Sequence, residues 1–454
     1  MEEKKGLKKN LGVATAMAIV VGCVIGSGVF FKPQAIYTAT GGAPGLGMIA
    51  WIITGLASIA AALTFAEVAI MIPKTGGMVA YLEEIYNPVV GFLAGWVQTI
   101  LFYPAMTSAL AVVCAQQAAL FIGDGFTVPL AIGIIILIIF LNSLGSKVGG
   151  SVQIIFTVCK LIPLILLMIF GFIKGGGANP IFTPMVGDGL SPAVVLGQLM
   201  VAILFAFEGW TNVGAIAGEM KNPGRDLPIA IVGGVSVIMG VYFIINISYL
   251  WVLPASELAG MTAPASAVAL KIFGDVGGKI VSVGIMISVF GACNGFVLSG
   301  SRVAYSLAAE GNFPFGKSLA RLNKAQVPTN SIILVGGIGC IYAISGQFNL
   351  LTDLAVFSSW TFYTLTFIGV MKLRKDRPDA VRTYKVPLYP VVPLIAIISG
   401  IYVITNQIFM SGLQSTLLSA GSIAVTLIGL PVYMAVSKRK SVNNIVKNDE
   451  KILT

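Results

Sequence analysis

Apolar runs of eighteen or more residues recur along almost the whole chain, separated by short stretches that hold most of its charges. Each run is long enough to cross a hydrocarbon core of roughly 30 Å as a helix. Twelve spans are predicted, over 10–39, 44–72, 86–118, 127–145, 149–174, 190–219, 229–253, 278–308, 329–345, 350–372, 389–411 and 415–437. Two of them carry a cluster of glycine and polar residues halfway across, where an uninterrupted membrane helix continues with Leu and Ile. The first reads Val21-Gly22-Cys23-Val24-Ile25-Gly26-Ser27-Gly28-Val29-Phe30, and the sixth reads Phe205-Ala206-Phe207-Glu208-Gly209-Trp210-Thr211-Asn212-Val213-Gly214.

Each interruption opens a group of five spans. Interrupted segments at corresponding places in two halves point to the ligand site of transporters built from inverted repeats. Five is an odd number, so the second group enters the membrane from the opposite side and the repeats are inverted. The expected fold class is an all-α integral membrane protein with twelve transmembrane helices, helices 1 and 6 broken. Its expected parts are a tail over 1–9, a first repeat over 10–174, a second over 190–372, two further helices over 389–437 and a tail over 438–454. The stretch from Lys372 to Lys385, followed by Pro387, Pro390 and Pro393, marks the end of the ten-helix core.

Composition closes off other classes. Of 454 residues 57% are apolar and 10% charged, against about 25% charged in a soluble globular protein, so no extramembrane domain fits. The net charge of +10 suggests nucleic acid only until the charges are sorted by loop. With the N-terminus in the cytoplasm, Lys32, Lys174, Lys271 and Lys279 fall outside, Lys160 lies within a span, and every other basic residue falls inside. Such a bias places both termini in the cytoplasm, with no nucleic-acid partner implied. Five cysteines on or beside apolar spans form no CxxC pair. The absence of histidine excludes His-based metal sites, Ser-His-Asp or Cys-His catalysis and a histidine proton relay. The first span is longer than a signal-peptide core and no small-residue cleavage site follows it, so it is expected to stay.

A helix broken within a bilayer leaves N–H and C=O groups unpaired, tolerated only where protein, water or ligand satisfies them. Gly26, Ser27 and Gly28 precede a half-helix expected from Val29, and their N–H groups with the positive dipole end can hold a carboxylate. The carbonyls ending the preceding half-helix, near Val21 and Gly22, and those of Phe205, Ala206 and Glu208 suit an ammonium. Together with Ile25 these are the candidate substrate-binding residues, and a ligand with carboxylate and ammonium a few Å apart is an α-amino acid. The bland alternative is a small-residue packing face between helices.

Lys160 sits mid-span, and a membrane-embedded ammonium is by default functional. Two jobs fit it. It stands where a sodium ion would, donating to carbonyls at the first break with Ser288 as a further acceptor, or it is a protonation switch; a lysine snorkelling to an interface is the third reading. Glu67 is expected to pair with a base such as Arg302 rather than carry a proton. Glu208 carries a proton, stabilises the break or lines a vestibule. Phe205 is a gate over the ligand or a packed aromatic, and Tyr242 and Asn294 suit interhelical hydrogen bonds.

With these residues in view the sequence resembles the L-type amino acid transporters of the amino acid-polyamine-organocation superfamily over nearly its entire length. Gly26-Ser27-Gly28-Val29-Phe30 is similar to that family's first-helix substrate loop, and Phe205-Ala206-Phe207-Glu208-Gly209-Trp210 to its sixth-helix loop. Ala66-Glu67 and Ile72-Pro73-Lys74-Thr75-Gly76-Gly77 match the end of its second helix and the loop beyond. The resemblance implies a LeuT-like fold of five-plus-five inverted repeats and sodium-independent exchange of amino acids. It assigns Phe205 to the aromatic gate and Lys160 to the lysine that replaces a second sodium site. The likeness is greatest to bacterial exchangers of small neutral amino acids such as alanine, serine, threonine and cysteine. Animal members often carry a cysteine between helices 3 and 4 that bonds to a heavy subunit; the loop around Gly123-Asp124-Gly125 has none, so no disulfide-linked partner is expected.

The sequence therefore reads as a plasma-membrane antiporter for small neutral amino acids, working by alternating access, without cofactor or covalent chemistry. A proton-coupled symporter using Glu208, Glu67 or Lys160 is the alternative. An integral-membrane enzyme needs a cluster of catalytic groups that the spans lack, and a channel needs a polar stripe along several helices.

Overall fold

A computed structural model describes residues 12–72, 77–145, 161–177, 179–212 and 222–452. Among these residues the ordered elements are helices and turns, with no strand. In chain order the helices are α1 (Val13–Val24), α2 (Gly28–Ala39), α3 (Gly45–Met71), α4 (Met78–Ile85), α5 (Pro88–Val97) and α6 (Tyr103–Ile122), the last two joined by a π-helical turn over Gln98–Phe102. Then come α7 (Thr127–Ser143), α8 (Leu161–Lys174), α9 (Pro192–Phe207), α10 (Pro223–Val252), α11 (Ala255–Ala259) and α12 (Pro264–Ala309). The chain ends with α13 (Gly316–Leu319), α14 (Thr329–Ala343), α15 (Phe348–Asp376), α16 (Val391–Phe409) and α17 (Leu413–Ile452).

Among the described residues seven stretches are long and apolar enough to cross a membrane unaided, and α7, α8, α9 and α14 are shorter apolar helices. The chain is a multi-pass membrane protein by its own surface. Isoleucine, leucine and phenylalanine stand exposed on α7 (Ile136, Leu137, Phe140) and α8 (Ile165, Ile169, Phe172), while Thr54, Ser58, Thr64, Asn246 and Asn294 are buried. That is the arrangement expected where lipid, not water, is the solvent. The α5–α6 span lies at the centre with 83% of its most apolar window buried, whereas the corresponding part of α17 is 17% buried. Small side chains let the helices approach closely. Ala105, Ala109, Ala111 and Ala115 of α6 have no exposed surface, and Gly55 of α3 sits where a Cβ would be 2.6 Å from the sulfur of Met239 on α10.

Among the described residues helix boundaries follow the hydropathy pattern closely except at the twelfth span, where α17 runs on to Ile452 through the stretch expected as a tail, and at the eighth. The eighth span, expected from 278, belongs to a helical run that begins at Pro264. The chain turns at Gly274, whose φ of +71° is open to glycine at little cost, so a short, largely buried helix leads directly into the span. At the other end of the molecule Glu67, near the end of α3, is clamped. Its carboxylate accepts from Arg374 Nε and Nη2 at 2.8 and 2.7 Å and from the Val386 N–H at 2.7 Å, and Arg382 lies 3.6 Å away. The partner is thus not Arg302, which is exposed; the base comes from the end of α15.

Candidate functional site

Both interruptions expected from the sequence break their helices. α1 ends at Val24, Ile25 is extended (φ −64°, ψ 107°), and α2 starts at Gly28, one residue earlier than expected, with Ser27 at its N-cap. α9 ends at Phe207, Glu208 is extended (ψ 142°), and Gly209 takes a φ of +120° before a single 3₁₀ turn over Trp210–Asn212. Only glycine adopts that φ without strain, which lets the chain leave the α9 path at this point. The two breaks touch. A Cβ on Gly28 would lie 2.5 Å from both Cα and Cβ of Ala206, so the absence of a side chain is what lets the half-helices meet.

A third helix ties them. The Tyr242 hydroxyl on α10 lies 3.2 Å from the Val24 carbonyl and 3.0 Å from the Ala206 carbonyl. Its ring is fixed edge-on against Trp51 (5.4 Å) and Phe207 (5.4 Å). Tyr242 therefore stands within hydrogen-bond reach of both breaks, able to donate to either carbonyl, a larger role than an ordinary interhelical bond.

Several backbone groups counted as free by the sequence reading are used locally. The Val21 carbonyl accepts from the Ile25 N–H at 3.0 Å and that of Phe205 from the Glu208 N–H at 3.2 Å, because each helix closes its last turn on itself. The negative end of the first break therefore lies later than Val21, in the last turn of α1 where Gly22 also sits. What stays open is Ser27, which is buried, caps nothing with its side chain and has an Oγ without a hydrogen-bond partner. It stands at the N-terminus of α2, where unpaired N–H groups and the dipole favour a negative group. Gly26 is only partly buried, and a Cβ there would meet nothing nearer than the Val24 carbonyl at 3.7 Å.

Glu208 is buried in the second break. One carboxylate oxygen accepts from the Tyr363 hydroxyl at 2.7 Å and the other has no partner. Trp210 and Phe65 pack around that tyrosine, at 5.2 and 6.4 Å between ring centroids. The polar end of Glu208 thus faces α15, a partner 155 positions away that no local pattern marks.

Phe205 lies on the other side of the contact between the breaks. It is 5% exposed and meets Phe348 edge-on at 5.4 Å. The ammonium of Lys32 on α2 lies 5.1 Å from the Phe205 centroid and 5.0 Å from that of Phe348. Lys32 was assigned to the outer surface by the charge sorting, yet its side chain has no exposed area. It donates to Thr352 Oγ1 at 2.6 Å and Asn349 Oδ1 at 3.2 Å and lies 3.9 Å from Asp353. Asn349 in turn donates to Gln34 at 2.9 Å. The signal was present: Lys32 falls inside the first predicted span and Asp353 inside the tenth, a charge of each sign that the membrane interior tolerates best as a pair.

Ser288 is buried on α12 and its hydroxyl is unpartnered; one turn away, Gly284 packs against Pro163 of α8. Lys160 lies outside the described residues. Asn294 accepts from Asn142 at 2.7 Å, an interhelical bond of the expected kind.

Comparison with known proteins gives the arrangement a setting. The amino acid permease family matches residues 11–433. The serine/threonine exchanger SteT of Bacillus subtilis is 37% identical over 97% of this chain and 99% of its own length. The human b(0,+)-type amino acid transporter 1 is 31% identical over 88% and 83% of the two chains, and the human cystine/glutamate transporter 26% identical over 95% and 86%.

Proposed function

The chain belongs to the amino acid permease family, on its L-type amino acid transporter branch, and from that premise we propose a sodium-independent antiporter of small neutral L-amino acids. It acts in the plasma membrane with both termini cytoplasmic, without a disulfide-linked heavy subunit. The proposed architecture is twelve crossings in a LeuT-like arrangement, with inverted repeats over 10–174 and 190–372 and two added helices over 389–437. The reading is supported above all by one observation: two helix breaks in contact, with the unpartnered Ser27 hydroxyl at the start of α2.

In this reading the substrate carboxylate lies at Ser27 and the α2 N-terminus, where N–H groups are unpaired. The ammonium takes carbonyls at the ends of α1 and α9, and Gly26 lets the ligand approach the backbone. Phe205 closes over the bound amino acid. Binding occupies the otherwise unsatisfied groups of both breaks, and movement of the half-helices then opens the other face. Small size and neutrality are carried over from the serine/threonine exchanger; the cystine/glutamate relative shows that side-chain preference varies on this backbone frame.

Purified protein in liposomes is expected to take up labelled serine or alanine when an amino acid is preloaded inside, in sodium-free buffer. Equal uptake into empty liposomes overturns obligatory exchange. One observation favours a second reading: the buried carboxylate of Glu208 has an oxygen without a partner, as a proton carrier would. Accumulation driven by an imposed pH gradient would establish proton-coupled symport instead.

A further inference from the structure

α16 lies outside both proposed repeats, yet it takes hold of the helix that carries the second break. Its Asn406 points at Gly197 near the start of α9, where a Cβ would stand 2.1 Å from the Asn406 Cγ and Nδ2. The carboxamide fills the notch that the missing side chain leaves. From there Nδ2 donates to the Val194 carbonyl at 3.3 Å, and Oδ1 accepts from Ser411 Oγ at 2.7 Å. One turn earlier on α16 the Tyr402 hydroxyl donates to the Ala193 carbonyl. Both carbonyls belong to the first turn of α9.

This seat is interlocked. Turning or sliding α9 by one residue brings Leu196 or Gln198 to the notch and drives a side chain into the carboxamide, an overlap that packed helices absorb badly. It is also polar within an apolar interface. Asn406 is 1% exposed, and parting the helices there strips a buried amide of its partners, which is costly away from water. Such a contact holds or is lost outright; it does not slide.

The hold of α16 on α15 is placed differently. Gly400, midway along α16, forms a notch of its own, and a Cβ there would lie 2.1 Å from Thr364 Oγ1 of α15. Toward the C-terminal end of α16, Gln407 Nε2 donates to the Asp353 carbonyl at 3.3 Å, while Gln407 Oε1 has no partner. In the proposed orientation, on which this inference rests, that end of α16 and the start of α9 lie together at the outer face. α16 thus rests on α15 at its middle and is fastened to α9 at its outer end.

We propose that α16 and the outer half of α9 move as one body through the exchange cycle, seated by Asn406 in the Gly197 notch. Asn406 is a positioning residue: it sets the tilt of α9, and with it the place of Phe205 at the far end of that helix, without touching the substrate. The helix added after the repeats is then a working part of the transporter.

The test joins the seat covalently. Gly197→Cys and Asn406→Cys are combined in a protein whose five native cysteines are replaced, and the protein is reconstituted in liposomes. The two positions face each other at the range a disulfide spans, so oxidation is expected to protect both thiols from maleimide. A bond across a contact that both states share disfavours neither, and exchange of labelled serine is expected to keep at least about half of its reduced rate. Exchange that stops on oxidation and returns with reductant shows that the seat opens in every cycle and overturns the proposal. Thiols that never pair overturn it as well, since the two positions then do not meet.

Gly197→Ala alone puts a methyl in the notch and is expected to lower turnover per folded molecule about tenfold, with the KM for serine within about twofold of the parent. Adding Asn406→Ala makes room for that methyl and is expected to restore turnover to within about threefold. A seat that only held the fold together would lower the amount of folded protein and leave turnover per molecule unchanged, and that result overturns the positioning role. Parent protein that exchanges no amino acid overturns the proposed function instead, while pairing of the two thiols is still read.

Discussion

The hydroxyl of Tyr242 reaches Val24 and Ala206 from a ring that Trp51 and Phe207 hold in place. Removing it takes away the one donor that the two buried carbonyls share, at roughly 1–3 kcal/mol. Tyr242→Phe is therefore expected to slow exchange by about tenfold, read as initial rates in liposomes, with a modest fall in melting temperature and no change of fold. Little in the sequence set this residue apart. A tyrosine in an apolar helix looks the same whether it serves one carbonyl or two, and only the meeting of three helices gives it the larger role. Lys32 was misplaced for a related reason. Hydropathy locates a span's end to within a few residues, and Lys32 lies one turn past a break that had already drawn attention to Gly26-Ser27-Gly28. Whether such a lysine points to water or to α15 depends on a partner more than 300 positions away.

At the scale of elements, the breaks were legible because glycine and polar residues have no business in the middle of an ordinary membrane helix. Which glycine makes which contact was not legible. Gly26 looks as constrained as Gly28 in sequence, yet only at Gly28 would a side chain strike Ala206; at Gly26 the nearest atom to a Cβ is 3.7 Å away. Gly28→Val is expected to force the half-helices apart, costing about 1–3 kcal/mol from overpacking and abolishing exchange. Gly26→Ala should leave the melting temperature within a degree or two of the parent, since nothing crowds it. Thermal unfolding in detergent, run beside the transport assay, separates the two. Should Gly26→Ala destabilise as much as Gly28→Val, the contact geometry of the first break is wrong.

Across the described residues the pattern of apolar runs places most helices near their observed positions, because in lipid each span must satisfy its own backbone and boundaries are set by where charge begins. Long-range pairing was less accessible. Glu67 met Arg374, Arg382 and the Val386 N–H rather than Arg302, and joins the end of α3 to the segment beyond α15. Glu67→Ala strands those groups, and breaking such a buried pair costs about 3–5 kcal/mol. A fall of several degrees in melting temperature is expected, while Arg302→Ala leaves it unchanged; equal effects of the two would remove the clamp. Tyr242 carries a consequence of another sort. A phenol has a single proton and can give it to one carbonyl at a time, yet two lie within reach. When one half-helix leans away, the proton turns to the other, so the number of bonds is conserved while the shape is not. In the proposed alternating cycle, rocking between two faces need not cross a state in which that hydrogen bond is missing.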